Sequence, residues 1–573
     1  MDVIIKQLEK VYPNSDFSYF SSRRNKMKKK DVFITLTILL TVMLLTPCFA
    51  GGGGQANTAA APAKIGADPL FNPTGDVLAK EKVTLNFVAC RPANFRNGWA
   101  DMQVIQDLEK ITNVHMNWIE IEESAWAEKT RLMLASSDLP DAFYSWPIAD
   151  NVVQEYGEQG ILVPLEPYID AYGYNITKAF KELPALRPAM TYPDGHIYAL
   201  PMANIGENGG NYIWINTDWL KQTGLSMPKT TEDFYNVLKA FKTLHPDVAP
   251  FTFTQYTPAG LPHLQQGANN LFGSFGVVYD DRYLMWQNNT VIFAPSQPGY
   301  LEGLRYFNRL YKEGLIDPES FSQTIEQMQA KTRSDLSRGA TVSHMADFIV
   351  DLGGRTDTTM EEYNALRFQP IAPLIGPSGA APIWRKYISF PIENTGRFMI
   401  TNINKHPEIS MRWVDYSCDN DAHANNLRLG PQGLFWDYMN PEKTKFGMIY
   451  SDKINTNLQY NPVNYCVWFW LPSYNTKNVR VPQQEMQSIN YENLVKPYAI
   501  DNVPSVKFTS DENNTMSGIR VDLFKYVASS FTSFIMNGVT DAQWNDYLAK
   551  LKTYGSDTYT QIYQTAVNRS FGK

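Results

Sequence analysis

Cysteine is scarce in this chain, with four among 573 residues, at positions 48, 90, 418 and 466. Cys48 lies in an N-terminal targeting stretch. The remaining three are an odd count that argues against a disulfide framework, although one bridge between two of them stays open. Basic charge is not in excess either: 51 Lys and Arg face 58 Asp and Glu, for a net charge of −7 and a sequence pI near 5.7. Such a chain offers no basic field to nucleic acid. Its seven histidines are scattered without metal spacing, and Gly-x-Ser-x-Gly, His-Glu-x-x-His and P-loop patterns are all missing. The apolar run Val32 to Leu45 is too short to span a bilayer. What the chain does have is length, enough for the cores of two or three domains, and aromatic rings. They make up 13% of residues, including 13 Trp and 32 Tyr, and so many Trp beside Gly, Pro and Asn exceed the needs of a core.

Residues 1–26 are polar and partly basic and make a poor head for an export signal. Met27-Lys28-Lys29-Lys30 is a better one, so residues 27–50 read as a signal peptide starting at a second candidate start codon. The run ends in Leu45-Thr46-Pro47-Cys48. A Leu three positions before Cys resembles a lipoprotein processing box, in which Cys48 is acylated and anchors the mature protein to the outer face of the membrane. Pro47 departs from the usual Gly or Ala there. The competing reading is cleavage after Ala50 and secretion; either exports the chain. Residues 51–79 are rich in Gly, Ala and Pro, hold few large apolar groups to offset the cost of ordering, and read as a flexible tether.

Folded structure is expected from Val83 onward. Val83 to Val88 alternates as a strand, Asp101 to Thr112 has helical spacing, His115 to Ile121 is a second strand, a helix surrounds Trp126 to Leu134, and a third strand follows Leu139. This is the βαβ order of a mostly parallel sheet. The stretch Asp194 to Leu244 organises the rest. Asp194-Gly195-His196-Ile197-Tyr198-Ala199-Leu200-Pro201 is a turn followed by an apolar run. Gly206, Gly209 and Gly210 loosen the backbone, and Tyr212 to Asn216 alternates as a strand with two different faces. Thr230 or Thr231 then caps a helix whose inner face carries Phe234, Val237, Leu238 and Phe241. A strand, a loose joint, a strand and a helix suit a chain crossing between two lobes.

Asp194 to Pro201, followed by Tyr212-Ile213-Trp214-Ile215-Asn216-Thr217-Asp218-Trp219-Leu220, resembles the extracellular solute-binding proteins of ABC importers. The nearer match is their large oligosaccharide- and aldouronate-binding lipoproteins from Gram-positive bacteria. Gly160 to Leu165, Tyr311 to Pro318, the helix opening His406-Pro407-Glu408-Ile409, and Gly430 to Tyr438 also match family phrases. The resemblance covers about residues 80–573, least closely over 440–510. Many relatives carry an acidic calcium loop soon after the helix capped at Thr230. Here Leu244-His245-Pro246-Asp247-Val248-Ala249-Pro250 stands instead and lacks the oxygen ligands, so no calcium is expected.

The resemblance implies an α/β, two-lobed fold of the type II periplasmic-binding-protein kind, its lobes joined by about three hinge crossovers. The N-terminal lobe would comprise residues 80–205 plus 390–440 and the C-terminal lobe 206–389 plus 441–573, with the third crossover near Gly430 to Tyr438. It implies a monomer that captures a carbohydrate, an oligosaccharide with or without uronic acid, and delivers it to ABC permease subunits. No catalysis, metal or cofactor is expected, and the membrane is met only through the lipid anchor. The alternatives are a secreted polysaccharide hydrolase or lyase, and a receptor for peptides or other solutes on the same fold.

Sugars lay apolar C–H faces on aromatic rings while planar polar side chains take their hydroxyls. In open α/β sheets, ligands lie beyond the carboxyl ends of the strands. Loops there carry Arg91, Asn94, Arg96 and Trp99, and Tyr144 and Trp146. Tyr192, Trp384, Arg385, Trp436, Trp468 and Trp470 complete the candidate ligand set. Arg91, Arg96 and Arg385 can hold a carboxylate bidentately; the competing reading is surface arginines or interlobe ion pairs. For the rings the competing reading is core. It is preferred for Trp214, which alternates with Ile, and for Trp219, Trp413 and Trp544 at helical spacing. Replacing Trp99 and Trp436 by Ala is expected to lower affinity with little loss of stability.

Overall fold

The computed structural model describes residues 65–136, 138–208, 211–255, 267–334, 338–346, 349–350, 359–390, 396–418, 421–449, 459–462, 465–467, 469–480 and 482–572. Cys48, the signal peptide, most of the tether and Trp468 lie outside them, as does the side chain of Trp470.

The first sheet is built from β1 (Val83–Arg91), β2 (Val114–Glu122) and β3 (Ala142–Ile148), with the late strand Gly396–Ile400 on its edge; β1 lies between β2 and β3 and is parallel to both. Alternation on β1 sends Val83, Leu85, Phe87 and Ala89 to one core and Val88 and Cys90 to another. The connecting helix Gln103–Thr112 packs Ile105 and Leu108 on the first of these faces, and the helix Trp126–Ala135 packs Trp126 and Leu134 on the second. Because parallel crossovers keep one hand, helices on opposite faces mean that the strand order reverses beside β1. The crevice at that reversal, beyond the carboxyl ends of β1 and β3, is where such sheets take ligands.

The second sheet contains β5 (Tyr212–Asn216), β6 (Phe251–Thr252), β7 (Ala340–Ser343) and β8 (Phe368–Pro370), in the order β8-β5-β7-β6; β4 (Ala203–Asn208) belongs to the joint described below. Its main core gathers Ile213 and Ile215, with Phe234, Leu238 and Phe241 from the helix Thr231–Leu244 and Leu523, Val527 and Phe531 from the helix Ser510–Asn537. Thr230 caps the former helix in a reciprocal box with Asp233. Trp214 is on the other face of β5, in a smaller core with Tyr212, Phe368 and Trp384. Trp214, Trp219, Trp413 and Trp544 are all buried, as their spacing implies.

Between the two main cores, β4 pairs antiparallel with β9 (Tyr387–Phe390), and Phe469–Trp470 runs parallel beside β4. Among the described residues the chain passes from core to core three times, between Ala203 and Ile213, between Trp384 and Phe398, and between Tyr474 and Val503. Two details differ from expectation. Ile197 to Leu200 forms no ladder beyond a bridge from Leu200 to Phe398, and the strand comes later, at Ala203–Asn208. Phe446, Cys466, Val467, Leu471 and Tyr474 pack in the first core, so the last passage lies after Val479 and not near Gly430. A local hairpin is the cause: Phe446–Met448 folds back on Trp436–Tyr438 and also pairs with Asn478–Val479.

Two buried charges tie distant segments together. Asp415 accepts from the backbone N–H groups of Asn175 and Ile176 at 2.9 and 3.0 Å and from Arg412 at 3.1 Å. Burial outweighs these donors and raises its pKa from an ordinary 3.8 to about 6. The folded state therefore holds this proton more tightly than the unfolded chain. Asp415 adds stability below about pH 4 that is lost as pH rises through about 6. Urea midpoints across that window are expected to fall relative to those of Asp415→Asn; parallel curves would contradict this.

Lys507, its side chain 1% exposed, pairs with Asp150 at 2.6 Å. Asp150 also accepts from Tyr192 Oη at 3.4 Å, and Lys507 Nζ lies 5.3 Å from the Tyr192 ring centre. Lys507→Ala is expected to cost about 2 kcal/mol in chemical denaturation, below the ~3–5 of a fully buried pair because Asp150 is 32% exposed and screened.

Candidate functional site at the carboxyl edge of the first sheet

β1 ends at Arg91, whose guanidinium pairs with Glu120 of β2 at 3.0 Å. The other Glu120 oxygen accepts from the Trp99 backbone N–H at 2.8 Å. This one carboxylate closes the loop 92–98. Gly98 suits the closure, since a Cβ there would stand 2.7 Å from Glu120 Oε1 and displace that carboxylate. The loop then rests on the segment near residue 460: Asn97 Nδ2 donates to Gln459 O at 2.9 Å, and Phe95 meets Tyr465 edge-on at 5.2 Å.

β3 is irregular where it reaches the same crevice. Tyr144 pairs with Phe398 and Ile148 with Gly396, so the three residues Ser145, Trp146 and Pro147 on β3 stand opposite Arg397 alone. The bulge holds Ser145 at φ 98°, a left-handed backbone that a serine adopts at a cost of order 1 kcal/mol or more. Gly396 makes the close approach possible, because a Cβ there would fall 2.2 Å from Ile148 O. Bulges re-aim side chains, and this one leaves Trp146 half-buried and stacked on Tyr465, with centroids 5.2 Å apart and planes 25° apart. Arg397 donates to Ser145 O at 3.1 Å and lies 5.7 Å from the Trp146 ring centre. Burial lowers the Arg397 pKa. Burial, then the neighbouring Glu123, raises that of Tyr465.

The structure brings Arg91, Asn94, Arg96 and Trp146 to this edge, with Asn94 and Arg96 exposed. Other candidates are placed elsewhere. Trp99 is fully buried, stacked on Trp118 at 4.9 Å, with its indole N–H donated to Cys90 O at 2.9 Å. Tyr144 is buried among Phe87, Trp99 and Trp413, and its hydroxyl accepts from Val467 N at 3.4 Å. Trp436 is buried, its indole shared by Gly430 O and Asn426 Oδ1. These three are core rings, and the expectation for Trp99 and Trp436 is corrected: truncation would remove core. Tyr192 belongs to the Lys507–Asp150 contact. Trp384 fills the smaller core, and Arg385 lies near Asp281, where it offsets part of the burial that raises that carboxyl's pKa. None of Cys90, Cys418 and Cys466 is in a disulfide, and burial pushes the Cys90 and Cys466 thiols up to about 12.

The sequence reading missed Glu120 and Tyr465. For Tyr465 a signal exists in the ring-rich run Tyr465 to Trp470, of which the candidate set holds only the tryptophans.

The second sheet has a polar edge as well. Tyr212, which opens β5, pairs with Ser343, the last residue of β7; Thr254 and Gln255 follow β6, which runs parallel to β7. Asn211 Nδ2 donates to Gly267 O at 3.2 Å, and Asn269 Nδ2 to Tyr279 O at 3.5 Å. Asn211, Thr254, Gln255, Asn269 and Asn270 are nearly fully buried, yet Oδ1 of each Asn, Oγ1 of Thr254 and Oε1 of Gln255 have no partner among the described residues. After the helix Thr231–Leu244, His245 stacks on Trp219 at 3.8 Å and Lys242 donates to Val248 O at 3.4 Å. Among the described residues no cluster of three or more His, Cys, Asp or Glu could hold a metal ion.

The family model for bacterial extracellular solute-binding proteins matches residues 93–423. The fructooligosaccharide ABC transporter substrate-binding protein FusA of Streptococcus pneumoniae serotype 4 is 28% identical over 572 residues, covering 94% of this chain and 98% of that protein. The structure of FusA with kestose superposes with a TM-score of 0.68 at 26% identity, over 85% of this chain and 99% of the other. An HMO-binding, ABC-transporter-associated solute-binding protein from Bifidobacterium longum infantis shares the fold with a TM-score of 0.73 at 20% identity, over 85% and 99% of the two chains.

Proposed function

The chain belongs to the bacterial extracellular solute-binding proteins, and from that premise we propose that it captures a short oligosaccharide and delivers it unaltered to an ABC permease. The observation that carries this reading is the stacked, half-exposed Trp146–Tyr465 pair in the crevice where the strand order reverses. A flat ring surface with polar groups at its margin matches a sugar's apolar face and equatorial hydroxyls. The full-length similarity to a fructooligosaccharide-binding protein supports a fructan-type ligand. Closure of the two cores about their three connections would bury the ligand from both sides. Export, with a lipid on Cys48 holding a monomer at the membrane surface, completes the proposal. Among the described residues no helix is long and apolar enough to cross a membrane.

A thermal-shift screen of the mature chain against fructo-, gluco- and galacturono-oligosaccharides, with peptides as controls, tests this. A raised melting temperature with one of the sugars, and recovery of that sugar intact, is expected. Shortened sugar would establish the hydrolase or lyase instead. A shift with peptides alone would favour a peptide receptor.

A further inference from the structure

Resting on that reading, we infer that the C-terminal wall of the site is an uncharged acceptor surface, formed by Asn211, Thr254, Gln255, Asn269 and Asn270, which selects neutral sugars over acidic ones. The five are brought together by the second sheet. The parallel register Thr252↔Thr341 places Thr254 and Gln255 beyond the end of β6, beside Ser343, and Ser343 pairs with the residue after Asn211. The bond from Asn211 to Gly267 O holds the start of the Ala268–Phe275 turn, with Asn269 and Asn270, against the same edge.

Two of the amide orientations follow from their partners. A backbone carbonyl accepts only from the NH2 side of an amide, so the bonds to Gly267 O and Tyr279 O leave Asn211 Oδ1 and Asn269 Oδ1 as the free atoms. Asn270 Oδ1, Gln255 Oε1 and Thr254 Oγ1 are likewise unpartnered. Buried polar atoms are rarely left unpaired, because each costs desolvation with nothing in return. Five within one sheet edge form an arrangement that a ligand completes. Those of Asn211 and Asn269 are fixed as carbonyl oxygens, which need donors. A neutral sugar supplies O–H groups. A uronate carboxylate supplies only further acceptors and would set its charge against those carbonyl dipoles. At the carboxyl edge of the first sheet Arg91 is already paired with Glu120, which weakens its claim to a carboxylate.

The test uses isosteric replacements, Thr254→Val and Gln255→Leu, in the mature chain. Replacing an unpaired buried polar atom by an apolar one of similar shape leaves ligand-free stability unchanged or raises it. The expected result is an unchanged or higher melting temperature in both variants, with affinity for kestose, measured by calorimetry, reduced at least tenfold in each. Wild-type protein is expected to bind kestose at least a hundredfold more tightly than trigalacturonate. Unchanged kestose affinity in both variants, or a fall in ligand-free melting temperature showing that these groups serve the fold, would overturn the inference and leave the carbohydrate reading standing. So would preference for trigalacturonate. A wild type that binds no oligosaccharide would defeat the functional reading itself, and the inference with it.

Discussion

Replacing Trp146 by alanine is expected to weaken oligosaccharide binding by about 30-fold, ~2 kcal/mol, the scale of a tryptophan at the centre of a contact. The ring is half-buried and outside the main core of the first sheet, lying on Tyr465 and beneath the Arg397 guanidinium. Its removal leaves no sealed cavity, so the melting temperature is expected to move little. Tyr465→Ala is expected to act in the same direction, and the double variant to lose less than the sum, because the two rings make one surface. Calorimetric titration of all three with the sugar that gives the largest thermal shift checks this. Affinity unchanged in Trp146→Ala would place the ligand elsewhere.

Trp99→Ala is expected to behave in the opposite way. It removes a fully buried indole packed against Trp118, Phe95 and Tyr144 and deletes the hydrogen bond to Cys90 O. Large-to-small substitution at such a site costs about 3–5 kcal/mol. The cavity would also underlie the loop whose backbone Glu120 holds. A large drop in the urea midpoint is therefore expected, and Trp99→Phe should restore much of it. A stable Trp99→Ala protein with weakened sugar binding would move this ring from the core into the site.

The contrast between these two tryptophans shows what the sequence makes legible. Periodicity locates β1, β2 and the helix that follows each to within a few residues, because alternation and helical spacing are imposed by burial on those same elements. It also placed Trp214, Trp219, Trp413 and Trp544 in cores. Trp99 and Trp146 sit in similar company, each at a strand's exit among Pro, Gly or Arg. What separates them is tertiary. Glu120 draws Trp99 inward through its backbone N–H, while the bulge at Ser145 turns Trp146 outward, and neither the partner nor the bulge has a local signature. The last passage between cores was misplaced for a related reason. The hairpin at Phe446–Met448 returns the chain to the first core through pairing partners some ten and thirty residues away, and short strands of two or three residues carry no readable period. The polar edge of the second sheet was invisible because Asn211, Thr254 and Asn269 look like ordinary loop residues until their burial is known.

The most direct measurement of the central claim is a crystal structure of the mature chain with the neutral oligosaccharide that stabilises it most. The account requires an intact sugar between the two sheet edges, one ring lying on the Trp146–Tyr465 surface and hydroxyls donating to Asn211, Gln255 or Asn269. A sugar bound outside that crevice, or present only as cleaved fragments, would contradict it.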